Sequence, residues 1–284
     1  MDMRPVFVIG PPRTGTTLLG KLLANGEAVL SLSEPFHLND LLPPWALRHF
    51  YARFQRDSHL RRVPFPRDRR PARYFRFLQD MARENDLRYL VIKEVFHEID
   101  LHPRWGNFKL LDNLAAQQVP IIAIIRHPWD AAASTVGLLR RLFFGWRGRV
   151  IRTLWPTVPR FRDDDHIVNW AARNWVHFVE WTRDRNLFVV RYEDLVREPA
   201  AALRRVCDHA GMPFADSMLD HHRWPQAFAG IGAPEVLFRG GQPVHAQSVG
   251  RGRHLTASQQ LTLDEICGPH MAALGYETLM AASA

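Results

Sequence analysis

At 284 residues, with 46% hydrophobic and 23% charged side chains, the chain is long enough for one large core and too ordinary in composition to be disordered or fibrous. Its net charge of +8 and pI near 10.1 point to an anionic partner, either nucleic acid, a membrane surface or a polyphosphorylated cofactor, without choosing among them. Two cysteines, Cys207 and Cys267, exclude a disulfide framework or a zinc pattern and fit a reducing compartment.

The first expected strand, Val6–Ile9, starts so close to Met1 that a signal peptide or anchor has no room. No later apolar run reaches the roughly 18 residues of a membrane span, so a cytoplasmic protein is expected. The strand runs into Gly10-Pro-Pro-Arg-Thr-Gly15-Thr16-Thr17, and a helix follows with Leu18, Leu19, Leu22 and Leu23 on one face and Gly26 as its stop. A strand, a glycine loop and a helix aim backbone N–H groups at a phosphate. An ATP or GTP site needs a lysine after the second glycine. Thr16 stands there instead, and the cation comes earlier, at Arg13, which suits a nucleotide without a γ-phosphate.

A second strand, Val29–Leu32, ends in Ser33-Glu34-Pro35-Phe36-His37, placing Glu34 on the same sheet edge as the loop. Residues 43–76 are crowded with arginine. The strand Tyr89–Ile92 ends at Lys93, with His97 four residues on. The strand Ile121–Ile125 ends in Arg126-His127-Pro128-Trp129-Asp130, and a helix over Asp130–Arg141 carries Ser134. Pro128 fits a helix start, because it lacks a donor that would be orphaned there. An arginine fork at a strand tip and a serine hydroxyl on the next helix together suit a phosphate. Further on come a basic and aromatic stretch over 138–162, a Trp-rich helix over Ile167–Arg183 and the strand Leu187–Val190. A helix over Ala200–Ala210 closed by Gly211, a glycine-rich stretch over 230–252 and a helix over Thr256–Leu274 complete the chain.

Strands alternating with helices predict an α/β fold: a P-loop-like, three-layer architecture with a central parallel sheet flanked by helices. One domain over 1–284 is expected. Insertions near 43–76 and 138–165 read either as a substrate lid over the crevice beyond the strand C-termini or as solvated helices.

With both anion motifs in view, the chain resembles the sulfotransferases that use 3′-phosphoadenosine-5′-phosphosulfate (PAPS). Their 5′-phosphosulfate loop is similar to Pro12-Arg13-Thr14-Gly15-Thr16-Thr17-Leu18, and their 3′-phosphate signature to Arg126, Pro128 and Ser134. Arg191-Tyr192-Glu193-Asp194-Leu195 resembles the segment whose tyrosine lies near the adenine, and Ser248 to Arg253 resembles the loop that closes over the 3′-phosphate with Arg251 and Arg253. Cytosolic small-molecule members have lysine in place of Arg13, tryptophan in place of Leu18 and a histidine two residues after a lysine; here Lys93 and His97 are four apart. In these respects the chain resembles carbohydrate-type, protein-type and bacterial members.

The resemblance implies sulfuryl transfer from PAPS to an acceptor hydroxyl, with PAP (3′-phosphoadenosine-5′-phosphate) as product and no metal. Such a displacement needs an aligned acceptor, a base and cations at the bridging oxygen. Glu34 is the candidate base; otherwise it caps a helix or pairs with an arginine of 43–76. His97 is the rival base, and Lys93 a candidate to neutralise the sulfonate or the leaving phosphate. Arg13 with the amides of Gly15, Thr16 and Thr17 would hold the phosphosulfate. A divergent P-loop kinase must do without its lysine, and a basic nucleic-acid-binding protein lacks any recognisable signature. The acceptor stays open among a sugar, a lipid-linked hydroxyl, a natural product and a peptide.

Overall fold

Strand β1 (Arg4–Gly10) forms the middle of the molecule because Val6, Phe7, Val8 and Ile9 are apolar on both faces and wholly buried, the pattern of a parallel strand covered on both sides. The computed structural model describes residues 3–96, 114, 117–143, 161–220, 228–230 and 243–277. In these stretches six strands pair in the order β5-β4-β1-β3-β2-β6, every pairing parallel. The others are β2 (Val29–Ser33), β3 (Tyr89–Val95), β4 (Ile121–Ile125), β5 (Phe188–Arg191) and the short edge strand β6 (Phe228–Gly230). Because β1 lies between β3 and β4, the chain winds away from it in both directions, which opens a crevice at its C-terminal end.

The helices are α1 (Thr16–Ala24), α2 (Pro35–Leu41), α3 (Pro44–Asp57), α4 (Pro71–Arg83), α5 (Pro128–Phe143), α6 (Asp164–Asp184), α7 (Tyr192–Arg197), α8 (Pro199–Ala210) and α9 (Ala257–Ala273). Alternate strand residues feed two cores. Phe7, Ile9, Ile92 and Ile125 pack with α4, α6 and α9. Val6, Val8, Val91 and Ile124 pack with α1, α7 and α8. The sheet is thus the middle of three layers.

The helix ends follow from local chemistry. Thr256 accepts from the Gln259 N–H while the Gln259 side chain accepts from the Thr256 N–H, a reciprocal cap that starts α9. Gly211, at φ 63°, closes α8 in the left-handed conformation. Helix α1 stops one residue before the expected glycine: Asn25 is its cap, and the Gly26 N–H returns to Leu23 O.

The arginine-rich stretch over 43–76 holds α3 and the start of α4. Leu47 and Tyr51 of α3 and Tyr74, Phe77 and Leu78 of α4 are buried in the first core, leaving the arginines on the outer faces. The Tyr51 and Tyr74 hydroxyls lie 2.6 Å apart, and Tyr74 donates to Pro35 O at 2.9 Å, which ties α4 to α2. Of the second expected insertion, 144–160 lies outside the described residues.

Candidate active site

The loop from Gly10 to Gly15 is bent by contacts as well as by glycine. The Thr14 hydroxyl donates back to Pro11 O at 2.8 Å, and Arg13 sits at φ 67°, an unusual conformation for a non-glycine residue. Gly15 caps α1 at φ 102°, and no side chain caps that helix, so its first N–H groups point into the crevice. A Cβ at Gly15 would stand 2.5 Å from Tyr192 Cδ2. Tyr192, first residue of α7, therefore packs beneath the loop and is 7% exposed.

Arg13 and Arg126 converge over this loop from different strands. Arg13 Nε donates to Ser134 Oγ at 3.0 Å, joining the Gly10–Gly15 loop to α5. Arg126 Nη1 donates to Arg13 O at 3.2 Å, its Nη2 donates to Ser248 O, and its guanidinium lies 4.6 Å over the Tyr192 ring. Its Nε is buried with no hydrogen-bond partner among the described residues. Burial foremost, then the charges of Arg126 and Arg251, push the Arg13 pKa down.

Neighbouring groups hold Arg126 in place. Trp175 Nε1 donates to its carbonyl at 2.9 Å. Asp130 lies 3.6 Å from its Nη2 but spends its oxygens on the Gly250 and Gly252 N–H groups, at 2.8 and 2.6 Å. That carboxylate pins the 3₁₀ turn Arg251–His254 to the start of α5, where a Cβ at Gly252 would stand 2.3 Å from Trp129 Cβ. Arg251 and Arg253 are exposed on this turn. Glu193, beside Tyr192, accepts from the His127 N–H at 2.9 Å and the Tyr276 hydroxyl at 3.0 Å.

A second cluster forms on β2 and β3. Both Ser33 and Val8 pair with Lys93, so Glu34 emerges from the sheet beside β3 and close to the base of the loop that follows β1. Lys93 lies within β3 rather than at its end, 1% exposed, on the α1 side of the sheet with Val91. Its Nζ donates to Glu34 Oε1. Glu34 is in the left-handed region, at φ 53°, as the N-cap of α2, yet its side chain makes no capping bond. Glu94 caps instead, from the other face of β3: Oε1 accepts the Phe36 N–H at 2.8 Å, and Oε2 meets His37 Nδ1 at 2.5 Å. Burial works against charge on His37, but the Glu94 field and hydrogen bond outweigh it and raise the His37 pKa.

The structure thus brings together Arg13, Arg126, Ser134 and Tyr192 at the loop, with Pro12 and Thr14 in it and Thr16 and Thr17 in the first turn of α1, and joins Glu34 to Lys93. His97 lies outside the described residues. Sequence reasoning missed Asp130, Glu94, His37, Trp175 and Glu193. For Glu94 there was a signal: two adjacent ionisable residues, Lys93 and Glu94, inside an apolar strand have to find partners on opposite faces.

The chain belongs to the sulfotransferase family, whose model matches residues 5–216. Among solved structures, the sulfotransferase domain from the Synechococcus PCC 7002 olefin synthase is 20% identical with a TM-score of 0.57, over 97% of this chain and 96% of that one. The sulfotransferase domain from the curacin biosynthetic pathway is 17% identical with a TM-score of 0.61, over 98% and 100%. A mouse sulfotransferase complexed with PAP is 14% identical with a TM-score of 0.54, over 95% and 86%. At these identities the likeness establishes the fold. No curated protein matches the chain.

Proposed function

We propose that this sulfotransferase moves the sulfuryl group of PAPS to an acceptor hydroxyl, with Arg13, Arg126 and Ser134 as its cofactor anion site and Glu34 as its base. The observation that carries the reading is the convergence of Arg13 and Arg126 near Arg251, with a buried Arg126 Nε that has no partner among the described residues. Asp130, 3.6 Å from Arg126 Nη2, supplies one countercharge while it accepts the Gly250 and Gly252 N–H groups, so the half-buried Arg13 stands beside Arg126 with no ion pair of its own among the described residues. A phosphate on a ligand would supply both the countercharge and an acceptor for Nε.

The residues divide the work between two ends. Arg126, Ser134 and the turn bearing Arg251 and Arg253 hold the 3′-phosphate, and this discriminates against nucleotides that lack one. Arg13 and the N–H groups of Gly15, Thr16 and Thr17 hold the 5′-phosphosulfate. Tyr192 supports the loop and Arg126 from below. Lys93 spends one of its three N–H donors on Glu34 Oε1 and keeps the rest for charge developing between sulfur and the leaving phosphate. Glu34 Oε2, which makes no hydrogen bond to a described residue, takes the hydroxyl proton. Arginines do the charge neutralisation that Mg²⁺ performs for kinases. The acceptor is a hydroxyl on a sugar, lipid-linked molecule, natural product or peptide, and the enzyme works in the cytoplasm.

Glu34→Gln keeps the side-chain shape and removes the base. Turnover should fall about 10²–10⁴-fold while PAP affinity holds. Unchanged turnover transfers the role to His97 and overturns this assignment.

A further inference from the structure

The net charge of the chain is not spread over its surface. Residues 43–76 carry ten arginines and two aspartates with no lysine or glutamate, a formal +8, while the remaining 250 residues hold 27 basic and 27 acidic side chains. This one segment, made of α3, the start of α4 and the loop joining them, therefore carries a charge equal to the net charge of the whole chain.

Both helices turn that charge outward. On α3, Trp45, Arg48, Ala52 and Arg56 recur at intervals of three and four and share one stripe, while Leu47, Tyr51 and Gln55 face the core. On α4, Arg73 and Arg76 are exposed, while Tyr74, Phe77, Leu78 and Met81 are buried. Arg48, Arg62, Arg67, Arg73 and Arg76 make no salt bridge among the described residues, and both aspartates of the segment are already paired, Asp57 with Arg53 and Arg56 and Asp68 with Arg70. None of these five lies in the sulfuryl-transfer site.

Trp45 adds a different chemistry to this face. It is 75% exposed in the first turn of α3 and, with Leu261, is one of two large apolar side chains that the described residues leave in water. The other rings of the segment are engaged inside, Tyr51 on Phe65 and Tyr74 on Phe36 among them, so no aromatic platform remains for stacking successive bases. A lone indole beside unpaired guanidinium groups matches a headgroup layer, where Trp settles at the interface and each arginine meets a lipid phosphate.

We propose that the outer face of α3 and α4 is a docking surface for an anionic lipid bilayer, held by arginine–phosphate attraction and anchored by Trp45. The protein adsorbs peripherally, and no described helix is long and apolar enough to cross a membrane. The proposal is independent of the reaction catalysed.

Co-sedimentation of the full chain with phosphatidylcholine vesicles, with and without about 30 mol% phosphatidylglycerol, tests it directly. Binding is expected only to the anionic vesicles and should weaken steeply with salt. Replacing Arg48, Arg62 and Arg73 together by glutamine should lower the partition coefficient about 10²-fold, roughly fivefold per arginine. Trp45→Ala should weaken binding with an unchanged salt slope. The unfolding midpoint checks that each variant is folded, and the wild-type salt dependence stands by itself if one is not. Equal binding to neutral vesicles, an unaffected triple variant, or tighter binding to a single-stranded oligonucleotide than to anionic vesicles overturns the proposal.

Discussion

Glu94 accepts the backbone N–H of Phe36 at 2.8 Å, so the first turn of α2 is capped from a neighbouring strand and not by the residue at its own N-cap position, Glu34. Side chains at that position ordinarily satisfy the free N–H groups two or three residues on. With that task taken over, Glu34 can turn to Lys93 and the crevice. Glu94→Ala should therefore do two things. It should cost roughly 1–3 kcal/mol of stability by orphaning a buried donor and His37. It should also lower kcat more than PAP affinity, because Glu34 loses its fixed position. Chemical denaturation and steady-state kinetics measure the two; a variant with normal kcat contradicts the positioning role.

His37 gives a pH signature. Burial disfavours its charge, but Glu94 and, less strongly, Glu34 raise its folded pKa, with Lys93 opposing. A group whose pKa is raised on folding contributes stability that is full below its unfolded value, near 6.5, and is lost as pH climbs through the folded value. Denaturant midpoints of wild type and His37→Gln, followed from about pH 5 to 9, should converge at the alkaline end. A gap that stays constant with pH contradicts the charged pair.

Gly15 and Gly252 have no space for a side chain. Gly15→Ala places a methyl against Tyr192 at φ 102°, and Gly252→Ala drives one into Trp129. Gly15→Ala should cost roughly 1–3 kcal/mol in strain. Gly252→Ala should push the Arg251–His254 turn off Asp130. Both should weaken PAP binding, which calorimetry on variants shown to be folded would detect. Parental affinity in Gly252→Ala would remove the turn from the anion site.

The fold was legible where chemistry is local. Five of the six strands announced themselves as apolar runs, and Thr256 marked the start of α9 by its cap. Strand β6 did not, being a three-residue edge strand beside a glycine-rich stretch whose pairing comes wholly from β2. The stretch over 43–76 reads as an arginine-rich insertion because its arginines obscure a regular stripe of Leu47, Tyr51 and Gln55 that faces the core. At the site, the glycine loop and Arg126 stood out because each follows a strand. Glu94 over Phe36 and Trp175 under Arg126 join residues 58 and 49 positions apart, and spacing along the chain does not report such contacts.

Arg126 makes the sharpest demand on a ligand. Arg126→Ala removes charge-assisted bonds that should be worth roughly 1.5–3 kcal/mol toward PAP, a loss of about 10- to 150-fold in affinity. The same variant should bind adenosine 5′-phosphosulfate, which lacks the 3′-phosphate, about as well as wild type does. Equal PAP affinity in variant and parent would place the 3′-phosphate elsewhere.

In the proposed function, this loop, with Arg13 in place of the P-loop lysine, serves a nucleotide with a 3′-phosphate and no γ-phosphate. Calorimetric titration of the purified protein with PAP, and separately with ATP plus Mg²⁺, tests it most directly. Tight PAP binding beside weak ATP binding that ignores the metal is the predicted result. Preferential binding of Mg–ATP would contradict it and make the chain a divergent kinase on a sulfotransferase fold.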